Sequence, residues 1–68
     1  MLKMTLKALR VNAGMTQKEV AKRLKKSNKT IWKWENGVTS PNAKDCSLIC
    51  ELYNVSYENI NFLPNDSL

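Results

Sequence analysis

The feature that most constrains this chain is how closely two helix-start signals follow one another. Thr16 opens the run TQKEVAKRL, and Thr16 with Glu19 forms a capping box in which each side chain satisfies the other's free amide. Only Lys25 and Lys26 separate the end of that run from Ser27, a good N-cap for the next run, NKTIWKWEN. Two helices of roughly seven to nine residues, joined by a turn of about three or four, follow from that spacing. So short a joint forces a large crossing angle and props the second helix outward.

The rest of the chain is punctuated in the same way. Thr5 is placed to cap a first helix carrying Leu6, Leu9 and Arg10, and Gly14 to stop it in a left-handed conformation. Val20, Ala21 and Leu24 share the inner face of the second helix, with Lys18, Lys22 and Arg23 on its outer face. On the third helix Ile31 and Trp34 point inward, whereas Asn28, Lys29, Trp32 and Lys33 point largely the other way; Gly37 ends it. Pro41 suits the first helical position after Ser40, and a fourth helix over about 42–53 carries Ala43, Cys46, Ile49, Cys50 and Tyr53 at helical spacing. Ser56 starts a short fifth helix with Ile60 inward, and the final NDSL has no packing pattern. Met15 and Val55 complete the expected core. Alternation never lasts long enough to mark a strand. The expectation is one all-α domain of five helices over 1–68, with its core over about 5–63, a frayed tail at 64–68 and no linker.

Size and charge narrow what such a domain can do. A chain of 68 residues is one small unit, too short for a catalytic cleft with a substrate domain. It lacks His, and no nucleophile and base stand at catalytic spacing, so no enzyme is expected. Cys46 and Cys50 lie four apart on one helix face, without the further ligands a metal site needs; they read as small buried hydrophobes in a reducing cytoplasm. No metal, cofactor, small-molecule site or membrane span is expected, and the expected location is cytoplasmic. The net charge of +5 is unevenly distributed: residues 1–34 carry +9 and residues 35–68 carry −4. A basic half of that strength points to a polyanionic partner, nucleic acid or an anionic membrane surface. The membrane fits less well, because the basic positions lie on a folded helix pair and not opposite one long apolar face.

The segment TQKEVAKRLKKSNKTIWKWENG, followed by SP, resembles the Cro/cI-type helix-turn-helix family of phage and bacterial regulators (the XRE-like family). Leu9-Arg10, Gly14, Gln17, Val20-Ala21, Leu24, Ser27, Thr30-Ile31, Trp34-Glu35, Gly37 and Pro41 fall at that family's spacing, and the resemblance covers about residues 5 to 63. The chain departs from it in the turn. Lys25 stands where Gly is common and a left-handed backbone is wanted, at roughly 1–2 kcal/mol for a non-Gly residue. Lys26 stands where an apolar residue usually packs, and its stem can still cover apolar surface.

The resemblance implies a lambda-repressor-like domain that lays its third helix in the major groove of double-stranded DNA and dimerises on a two-fold operator. Asn28, Lys29, Trp32 and Lys33 become the candidate base contacts, since Lys donates to guanine and Asn pairs with adenine. Gln17, at a helix N-terminus, becomes a candidate phosphate contact, with Lys18, Lys22, Lys25, Lys26, Asn36 and Thr39. Arg10 and Glu35 stand at the positions of the family's structural ion pair. Leu48, Leu52, Phe62 and Leu63 form either an exposed apolar patch for a homodimer or part of a broad buried face. A transcriptional repressor is the expected function. The alternatives are a DNA-binding antitoxin, its acidic half against a toxin, and a protein-interaction module of the same fold.

Overall fold

The computed structural model describes residues 3–62. Four α-helices follow one another: α1 (Leu6–Asn12), α2 (Gln17–Leu24), α3 (Asn28–Glu35) and α4 (Ala43–Tyr53). Each begins on a polar side chain that takes up an orphan backbone N–H. Thr5 accepts from Ala8, Thr16 from Glu19, Ser27 from Thr30 and Asn42 from Asp45, at 2.8–3.1 Å. The Thr16–Glu19 box is closed on both sides, since the Thr16 amide donates to Glu19 Oε1 at 2.8 Å.

The connections use the left-handed backbone where the chain must reverse. Gly14 (φ 70°) follows α1 and Gly37 (φ 72°) follows α3. Lys25 itself, at φ 58° and ψ 45°, ends α2, so the turn keeps its geometry without glycine. Asn54, at φ 55°, ends α4, a role Asn fills more readily than most residues.

Three expectations about the C-terminal half are corrected. The fourth helix starts from Asn42 as its cap, one residue beyond Pro41, because the Asn42 carboxamide reaches the Asp45 amide. No fifth α-helix forms among the described residues: Tyr57–Asn59 is a single 3-10 turn, and the Ser56 side chain makes no capping bond. The left-handed Asn54 and the strand beginning at Ile60 leave too little chain between them for an α-helical segment. The domain is not purely helical either. Met4–Thr5 (β1) pairs in parallel with Ile60–Asn61 (β2), with Met4 opposite Ile60 and Thr5 opposite Asn61. The pair is too short for alternation to be visible in sequence, and it clamps the start of the domain to its end across the whole helical unit.

The core gathers one stripe from each helix. Leu6 and Leu9 of α1, Val20, Ala21 and Leu24 of α2, Ile31 and Trp34 of α3, Ile49 of α4 and Ile60 of β2 are buried together. Met4, Met15, Leu48, Cys50, Leu52, Tyr53, Val55 and Phe62 pack around them, half-buried. Cys46 is also half-buried, its thiol donating to the Pro41 carbonyl at 3.6 Å, whereas Ala43 is exposed. A void of about 10 Å³ under Trp34, Ile49 and Tyr53 has room for about one water. The interior is therefore occupied by the fold itself.

Candidate nucleic-acid interface

The outer face of α3 is built by exclusion. Ile31 and Trp34 go inward at 2% and 6% exposure, and helical spacing then turns the alternate positions out. Asn28 and Lys29, in the first turn, are exposed to solvent, and Lys33 is half-buried. Trp32 shares their face, one turn beyond Asn28, and remains 47% exposed. An indole left open among polar side chains contributes little to the core and is available to an outside surface.

A buried ion pair fixes α3 against the rest of the domain. Arg10 Nε donates to Glu35 Oε2 at 2.7 Å and Arg10 Nη2 to Glu35 Oε1 at 3.2 Å, a forked contact between α1 and the end of α3. The Glu35 side chain is only 3% exposed. That hydrogen bond raises the Arg10 pKa above its ordinary value, against the opposing effect of burial. Arg10 Nη1 also donates to the Met15 carbonyl at 3.0 Å, holding the loop before α2.

Gln17 joins this network. Its Nε2 donates to Glu35 Oε1 at 3.1 Å, so the side chain is anchored to the ion pair. The carboxamide keeps a second N–H. Beside it, the backbone amides of Gln17 and Lys18 lie in the first turn of α2, where no intrahelical acceptor exists. Donors and the positive end of the helix dipole thus converge at the start of α2, an arrangement suited to an anion.

The other expected site residues fall into two groups. Lys18, Lys22 and Lys25 are exposed along α2 and its end, and Thr39 is exposed in the loop after α3. The remainder are engaged within the domain. Asn36 Nδ2 donates to the Trp32 carbonyl at 2.8 Å, closing the C-terminus of α3. Lys26 Nζ lies 3.3 Å from Asp45 Oδ1, bridging the turn to α4. Leu48, Leu52 and Phe62 are half-buried against the core, which gives the broad-face alternative most of their surface. Leu63 lies outside the described residues.

Two features escaped sequence reading. Asp45 is buried at 7% exposure, and its only advance signal is its place three residues after Asn42, the spacing of a cap and its amide donor. Tyr57, 62% exposed, packs its ring 5.4 Å from that of Phe62. No group of three or more potential metal-ligating side chains occurs among the described residues, and burial pushes the Cys46 thiol above its ordinary pKa. Nor is any described helix long and apolar enough to cross a membrane.

The sequence matches the family model for helix-turn-helix domains over residues 6–60, from the start of α1 to the last core residue, Ile60. The chain belongs to the Cro/cI-type helix-turn-helix family. In this Cro/cI-type domain α2 and α3 are the helix-turn-helix pair, and the left-handed Lys25 is its turn. The family consists of DNA-binding domains of transcription regulators. No curated protein and no solved structure matched the chain.

Proposed function

We propose that this domain is a sequence-specific transcriptional regulator that binds a two-fold operator in double-stranded DNA as a homodimer. The observation that carries the reading is the outward face of α3, where Asn28, Lys29 and a half-exposed Trp32 stand beside one another, clear of the core. With α3 in the major groove, its first turn lies nearest the base edges. Asn28 is suited to adenine and Lys29 and Lys33 to guanine, while Trp32 offers an apolar surface to a thymine methyl or the sugar wall.

Phosphate contacts set the register. Gln17, held by Glu35, and the free amides of α2 clamp one phosphate group. Lys18, Lys22 and Lys25 supply the sequence-independent attraction, with Asn36 and Thr39 at the far end of α3. Two copies reading successive major grooves fix half-sites about one helical turn, roughly 34–36 Å, apart. Tyr57 and Phe62, packed ring to ring, supply the apolar surface through which the copies meet. Regulation then works by occupancy: the bound dimer excludes polymerase from the operator, and repression follows the protein's concentration in the cytoplasm.

Selection of bound fragments from random duplex DNA tests this directly. A palindromic consensus is the expected result, since it reports sequence reading and two-fold binding together. Enrichment of no sequence would transfer the domain to a protein-interaction role, and a non-palindromic site would remove the dimer.

A further inference from the structure

The second half of α2 and the start of α4 enclose a groove of about 590 Å³ that the DNA reading does not use as a whole. Arg23, Lys25, Lys26 and Lys44 stand around it, and Leu24 and Leu48 form its apolar side. Beyond Leu48 it continues as a second hollow of about 250 Å³, lined by Arg23 again and by Leu52 and Glu51. Arg23 faces α4 along both hollows, and Lys44 belongs to α4 itself, outside the helix pair that reads DNA.

Among the described residues, acidic side chains balance only part of the positive charge in this groove. Asp45 is the one acidic side chain lining the larger hollow among the described residues, and it is already paired with Lys26 at 3.3 Å. Arg23, Lys25 and Lys44 therefore give the groove a surplus of positive charge. Lys44 lies in the first turn of α4, where the helix dipole disfavours a cation. A lysine there opposes the stability of its own helix, so its value lies in what it faces. Phosphodiester backbone would satisfy the cations but make no use of Leu24, Leu48 and Leu52. An amphipathic segment of protein matches both, with carboxylates for the rim and an apolar side chain for the floor.

We propose that the α2–α4 groove docks an acidic segment of a partner protein, with a leucine-like anchor on the half-buried Leu48, against the edge of Leu24, and carboxylates on Arg23 and Lys44. The groove shares Lys25 with the surface proposed for DNA, but the two cations that define the partner's contacts, Arg23 and Lys44, lie outside that surface. Charge complementarity selects the partner, and the apolar floor separates it from nucleic acid.

The test uses the whole chain, isotopically labelled for NMR, and a synthetic amphipathic peptide with leucines on one face and aspartate and glutamate elsewhere. Saturable shifts at Leu24, Lys44 and Leu48 are expected. In the double variant Arg23→Gln/Lys44→Gln, both positions being exposed, peptide affinity is expected to fall by about tenfold or more, and duplex DNA affinity by a clearly smaller factor, through long-range charge alone. A peptide with its leucines replaced by serine is expected to lose binding to the same degree. Absence of saturable binding, equal binding by the double variant or equal binding of the serine peptide would each overturn the proposal. So would an equal loss of peptide and duplex affinity, which would make the groove a DNA surface.

Discussion

Replacing Glu35 by leucine removes the acceptor on which three elements converge. Arg10 loses both arms of its fork, at 2.7 and 3.2 Å, and Gln17 loses the oxygen that holds its carboxamide. Arg10 cannot relieve the loss by releasing a proton, because a guanidinium stays charged throughout the accessible pH range. Breaking a buried pair from one side costs about 3–5 kcal/mol. The 13% exposure of the Arg10 side chain gives water some access to it, which places this variant near 3 kcal/mol. A domain of this size is stable by on the order of 3–10 kcal/mol, so the loss takes a large share of the total. Arg10→Met should cost a similar amount by orphaning Glu35. The double variant Arg10→Met/Glu35→Leu removes both charges and should recover most of the stability, giving a coupling of about 2 kcal/mol or more. Urea unfolding followed by the fluorescence of the buried Trp34, with Trp32→Phe as the background, measures all four proteins. A Glu35→Leu loss below about 1 kcal/mol would place the pair among surface ion pairs, and a double variant as unstable as the sum of the singles would refute the coupling.

Three further outcomes follow from other parts of the fold. Lys25→Gly relieves the left-handed strain at φ 58° and should raise stability by about 1 kcal/mol in the same unfolding assay; a loss would mean that the Lys25 side chain stabilises the turn. Lys22→Ala should lower affinity for all duplexes alike and flatten the slope of log affinity against log salt by about 0.9, whereas an unchanged slope would place Lys22 outside the interface. Burial pushes the Tyr53 phenol up to about 12 from 10. Its raised folded pKa makes the associated stability fully present below pH 10, and that stability is lost as pH rises from 10 through about 12. Ultraviolet titration of Tyr57→Phe, which leaves Tyr53 the one tyrosine, should give a midpoint near 12; a midpoint near 10 would contradict the burial.

The helices were legible wherever a local chemical signal exists. Thr5, Thr16, Ser27 and Gly14 announce ends of helices through side-chain oxygens and backbone freedom, which act within a few residues. The inward stripes of α2 and α3 were legible because burial repeats at the helical period. Signals that depend on distant chain were not. The β1–β2 pair joins residues at opposite ends of the domain, and nothing local in Met4-Thr5 or Ile60-Asn61 announces it. Tyr57–Asn59 has a start signal in Ser56, but the left-handed Asn54 and the strand at Ile60 confine it to one 3-10 turn. At the candidate interface the sequence separates outward from inward residues on α3. It is silent on the engagements that fix the remainder: Lys26 with Asp45, Gln17 with Glu35 and Asn36 with the Trp32 carbonyl. These are tertiary or rotameric outcomes, set by where a side chain finds its partner after the helices pack.

The outward face of α3 is proposed to read base sequence, and uncharged substitutions test this without disturbing long-range electrostatics. The decisive measurement is the ratio of affinities for the selected duplex and a scrambled one, at fixed salt, for the wild type and for Asn28→Ala/Trp32→Ala. A fall in that ratio by about tenfold or more, with affinity for the scrambled duplex and its salt slope unchanged, is the predicted result. A ratio equal to that of the wild type would show that this face of α3 does not read the DNA.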